Sequence, residues 1–152
     1  MNTVQGWREK AAGAARVGMT WGGIGGVIGF VASLLGPLVG IVAAGFVGVA
    51  CGRRSARASS GEEPLDGALA GLLGGVVAAP VFAVGAAAGA VLAIRRIGTE
   101  SAAATLGEIM GTSFSPEEAW QLYLLGIAFA AAIQVSLVVL AAVAAGALAL
   151  RK

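Results

Sequence analysis

The chain has 152 residues, of which 58% are hydrophobic and only 12% charged, with 25 glycines and a net charge of +2. Water-soluble domains carry about 25% charged residues, so the composition excludes an ordinary soluble domain and points to a single membrane domain. The ten basic and eight acidic side chains gather in a few short segments; such loop charges set topology and do not call for a nucleic-acid partner.

Residues 1–16 are polar at first, then alanine-rich. Trp7, Arg8, Glu9 and Lys10 suit a short interfacial helix with Trp7 at headgroup level, and a solvated tail is the alternative. Arg8, Lys10 and Arg16 precede an apolar run. That run is long and glycine-interrupted, with no polar domain after it, so a signal peptide is not expected.

Residues 17–36 carry no charge and form the first predicted span. Gly18, Gly22, Gly25, Gly29 and Ala32 recur at steps of three and four, a stripe down one side of a helix. A stripe without side chains lets another helix approach closely.

Gly36 and Pro37 end one helix and begin the next, because glycine closes helices and proline fits their first turn. The second predicted span covers residues 37–52, about 24 Å at ~1.5 Å per residue. Gly40, Ala44, Gly48 and Gly52 give it a small-residue face. A rival reading joins the two spans into one helix kinked at Pro37, and charge decides between them. Four spans place eight basic residues on one side against Arg95 and Arg96 on the other, whereas three spans divide them evenly. Cytoplasmic segments are enriched in Lys and Arg, so four spans with both termini inside are expected.

Residues 53–66 form a polar loop, basic at Arg53, Arg54 and Arg57 and acidic towards Asp66, which stands where a helix N-cap would. The arginines set topology on one reading and bind an anionic lipid or nucleotide on the other.

No charge falls between Asp66 and Arg95. The third span, residues 67–94, rises about 42 Å, more than the ~30 Å of a bilayer core. Its small residues Gly67, Gly71, Gly74, Ala78, Gly85 and Ala88 follow a period near 3.5, and Pro80 is expected to kink it.

Residues 97–118 make the longest polar connection. Ala102, Leu106, Ile109 and Met110 can form the apolar face of a short interfacial helix. Glu100, Glu108, Glu117 and Glu118 match no metal-binding spacing and read as a solvated face. Ser115, Pro116 and Glu118 spell a helix start with a capping box.

The fourth span, residues 117–150, opens with the interfacial aromatics Trp120 and Tyr123. Gln134 and Ser136 are its polar residues. Gln134 either bonds to a neighbouring helix or lines a pathway.

Within residues 35–89, the stretch GPLVGIVAAGFVGVACG, a short polar loop and DGALAGLLGGVV together resemble a family of small glycine-rich archaeal membrane proteins of unknown function. The resemblance covers about a third of the chain and implies no activity, cofactor or site residue.

Several chemistries are excluded. The chain has no histidine and a single cysteine, Cys51, so a Ser/His/Asp set, an internal disulfide and a Cys/His metal site are all ruled out. No carboxylate lies inside a span, which disfavours proton relay. The expectation is an all-α, four-span bundle with no catalytic residue, metal or cofactor. Lipid, and the chain itself or another membrane protein, are its partners. The leading function is structural or assembly, through small-residue helix packing; the alternative is a small channel or transporter.

Overall fold

The computed structural model describes residues 3–59 and 61–151. Met1, Asn2, Ser60 and Lys152, the last of which entered the charge comparison above, lie outside the described residues. Among those described, the chain forms five helices and no strand: α1 Thr3–Leu35, α2 Pro37–Ala58, α3 Pro64–Ile97, α4 Thr99–Met110 and α5 Pro116–Ala149. All but α4 are long and apolar enough to cross a membrane. The chain is an all-α helical bundle.

Several boundaries differ from the sequence reading, each for a physical reason. α1 begins at Thr3 and runs unbroken into the first span. Residues 3–16 are therefore the first half of one long helix, not a separate interfacial segment. No proline interrupts them, and Ala14 is buried. α2 continues past Gly52 to Ala58, so Arg53, Arg54 and Arg57 ride on its last two turns. α3 starts three residues early: Glu63 is its N-cap, Pro64 opens it, and Asp66 is an acid in its first turn, not its cap. Asp66 instead pairs with Lys10 of α1 at 3.6 Å.

The α1–α2 connection is a single residue. Gly36 holds φ 129° and ψ 165°, a region essentially reserved for glycine, and Pro37 opens α2 behind it. α3 remains helical through Pro80, which is exposed.

Two parallel and three antiparallel pairings build the bundle. α1 runs parallel to α3: Gly18 faces Gly74, Gly22 faces Ala78 and Phe30 faces Gly89. α2 runs parallel to α5, with Gly40 beside Gln134 and Gly52 beside Ala142. α3 is antiparallel to α5, where Gly67 meets Gly146 and Gly71 meets Ala142. α1 and α2 form the hairpin turned at Gly36. α2 also packs on α3, and α4 folds back onto α5. Ala44 and Val47 from α2, Ala79, Phe82 and Ala86 from α3 and Val138 from α5 meet in the centre.

Candidate functional site

A lipid-embedded helix gains little from moving apolar side chains off the lipid, so association depends on close packing and on polar contacts between helices. The glycines decide where such packing occurs. In α1, a Cβ added at Gly22 would stand 3.2 Å from the Ala78 Cα, and one at Gly29 would stand 3.1 Å from the Phe82 carbonyl oxygen. At Gly25 it would meet the Val47 side chain at 2.8 Å, so this stripe serves α2 as well as α3. In α2, a Cβ at Gly48 would lie 3.1 Å from the Val138 Cα. α3 divides its small residues among three neighbours. Gly67 and Gly71 abut the α5 backbone, Gly74 abuts Ser55 and Cys51 of α2, and Gly85 abuts the backbone of Gly26 in α1.

These stripes are therefore occupied within the chain. They are the seams of one bundle, and any partner must meet other faces. Large apolar residues lie on those faces: Val27 and Val31 on α1, Val42 and Phe46 on α2, Phe129 and Leu140 on α5 are all exposed.

Of the polar residues in α5, Gln134 is only 5% exposed. Its Nε2 comes within 2.8 Å of where a Gly40 Cβ would stand, and the Ser33 hydroxyl lies 3.6 Å from the same point. The absence of a side chain at Gly40 gives the amide its room. Ser136 turns outward, and its hydroxyl donates to the Ala132 carbonyl one turn back at 2.9 Å. That bond satisfies the hydroxyl inside its own helix and links it to nothing else.

The end bearing the α4 helix carries four of the eight acids, Glu100, Glu108, Glu117 and Glu118. The α5 start forms the capping box: the Glu118 N–H donates to Ser115 Oγ at 3.3 Å, and the Ser115 N–H donates to Glu118 Oε2 at 2.9 Å. In α4, Ala102 and Ala103 are buried and Leu106 is half-buried, while Ile109 and Met110 stand exposed. Only the first half of the expected apolar face packs on the bundle. The Tyr123 hydroxyl donates to the Ala102 carbonyl at 3.4 Å and ties α4 to α5. Glu100 and Glu108 line an open groove with Thr112 and Phe114. Among the described residues, no three acids, cysteines or histidines come together as a metal site.

Contacts between helices distant in sequence were not visible in the residues alone. Arg54 places its guanidinium carbon 5.2 Å from the centre of the Trp21 ring. Ser55, wholly buried and beside Cys51 on α2, stands against Gly74 of α3. Counting outward from the Gly36 turn would have brought Trp21 and Arg54 to neighbouring levels of the hairpin, and that register was the available signal.

Comparison with protein families, curated proteins and solved structures returns no match. Four helices fit to cross a bilayer remain the plainest functional fact, the mark of a multi-pass membrane protein.

Proposed function

We propose that the chain is a non-enzymatic membrane scaffold, acting in assembly as a homo-oligomer or as an accessory subunit of a larger membrane complex. One observation carries this reading: the bundle's centre is filled. Phe82, Val47 and Val138 are wholly buried there, and the glycine seams bring helix backbones into close contact around them. With the small-residue seams taken up inside the chain, the assembly role falls to the exposed apolar faces. The proposed location is the cell membrane with both termini cytoplasmic, supported by the weight of basic residues at the end bearing α1's start and the α2–α3 connection.

Purification in mild detergent followed by native mass measurement tests the reading. A homo-oligomer, or a stoichiometric membrane partner, is the expected result. A monomer that passes ions or small polar solutes when it is the sole protein in liposomes overturns it. That outcome would favour a small channel or transporter, the reading supported by buried Gln134 beside Ser33.

A further inference from the structure

Arg53, Arg54 and Arg57 are exposed at the end of α2, and among the described residues the one ion pair in the chain is that of Lys10 with Asp66. Among the described residues, the three guanidinium groups thus have no carboxylate within bonding distance. One of them is held in place. The Trp21 ring, half-buried on α1, lies under Arg54 at 5.2 Å, well within the ~6 Å reach of a cation–π contact. The ring holds Arg54, although exposed, beside the α1–α2 seam.

Towards the Gly36 turn, the same seam becomes apolar. On α2, Phe46, Arg53 and Arg57 fall at i, i+7 and i+11, on one helix face. On α1, Trp21, Ile24, Ile28 and Val31 follow i, i+3, i+7 and i+10, flanking the same seam. Ile24, Val31 and Phe46 are exposed. Phe46 and Arg53 are separated by about 10 Å at ~1.5 Å per residue, a depth within one leaflet of a core ~30 Å thick. The arrangement is cationic where a headgroup would lie and apolar where an acyl chain would follow.

We infer that the α1–α2 seam binds an anionic phospholipid. The phosphate sits among Arg53, Arg54 and Arg57, with Trp21 at the glycerol level, and one acyl chain lies along Ile24 and Phe46. Guanidinium forks match phosphate oxygens and are weakly hydrated, so they suit a phosphate at the edge of the hydrocarbon. The inference rests on the chain being embedded in a bilayer and is independent of the scaffold role.

The test uses the full chain with Trp7 and Trp120 replaced by phenylalanine, so that Trp21 is the sole tryptophan. It is reconstituted in symmetric phosphatidylcholine vesicles, where direction of insertion does not affect the readout. Bromine-labelled phosphatidylglycerol and bromine-labelled phosphatidylcholine are compared as quenchers at equal low mole fraction. The anionic lipid is expected to reach half-maximal quenching at a mole fraction at least about fivefold lower, the preference of roughly one engaged arginine. Replacing the three arginines by glutamine should abolish the preference, and Arg54→Gln alone should reduce it. The double variant R95Q/R96Q, at the other end of the bundle, should retain it. Equal quenching by both lipids, or a preference that survives in the triple variant, overturns the inference. So does a change in Trp21 emission on adding inorganic phosphate to unlabelled phosphatidylcholine vesicles that matches the effect of the anionic lipid, because the site would then recognise free phosphate.

Discussion

At the scale of single residues, glycines with the same spacing are not equivalent. Gly71 and Gly74 sit three positions apart in α3 and both are buried. A Cβ at Gly71 would run into the Ala142 carbonyl of α5, which is backbone and cannot turn aside. A Cβ at Gly74 would run into the Ser55 hydroxyl of α2, a side chain with other rotamers. Alanine should therefore be worse at Gly71 than at Gly74. Leucine should damage both, by about 1–3 kcal/mol, as overpacking a close-packed interior does. Leu72 and Val76, 39% and 54% exposed, face outward, and Leu72→Ile and Val76→Leu should be nearly neutral. Thermal resistance of the purified bundle in detergent ranks the six variants. If Gly71→Ala matches the Leu72→Ile control, the α3–α5 contact is looser than its backbone approach implies.

The elements themselves follow from short local signals. Ser115 and Glu118 close a capping box on α5, and removing the cap hydroxyl by Ser115→Ala should cost about 1 kcal/mol. The loss should appear as faster hydrogen exchange at the amide of Glu118, which donates to the cap hydroxyl, with the core of α5 unaffected. Gly36 makes a stronger demand. Its φ of 129° strains any residue with a Cβ, so Gly36→Ala should cost about 1–3 kcal/mol, although nothing stands within 4 Å of the added carbon. A loss at Gly36→Ala therefore reports backbone strain and not a clash.

These two features were legible in the sequence because each depends on residues within a few positions. The four spans were legible for a related reason: absence of charge over some twenty residues is itself a local property. Helix ends were less so. Asp66 has the chemistry of an N-cap, but Pro64 begins α3 two residues before it, and Lys10, 56 positions earlier, takes the carboxylate. Glycine spacing marked which side of each helix packs without naming the neighbour. Nothing local says that Gly71 meets α5 while Gly74 meets α2, since both lie on one stripe and only the crossing of three helices divides them. For the same reason Gln134 was recognisable as polar in a span, but its place beside Gly40 was not.

At the scale of the whole molecule, helix order sets which segments share an end of the bundle, and the distribution of charge predicts which end faces the cytoplasm. The single-residue turn at Gly36 forces α1 and α2 to run in opposite directions, and α3 and α5 also oppose each other. The beginning of α1, the α2–α3 connection and the end of α5 therefore lie at one end, with α4 at the other. Positive-inside bias then predicts that the first end faces the cytoplasm. Cysteine labelling tests this, provided the positions are accessible. Ser59 is unsuitable, because it is buried and its hydroxyl donates to the Ala56 carbonyl at 2.8 Å. Glu62 in the α2–α3 connection and Ser113 before α5 are both exposed. Native Cys51 is wholly buried, and Cys51→Ala removes it from the readout. In that background, a membrane-impermeant maleimide applied to intact cells should label S113C and leave E62C unlabelled until the membrane is opened. The reverse pattern would keep the four spans and overturn the assigned direction. Labelling of both cysteines from outside would place the two loops on one side. An even number of crossings would then separate Glu62 from Ser113, α3 could not be a single span, and the bundle would need a different topology in the membrane.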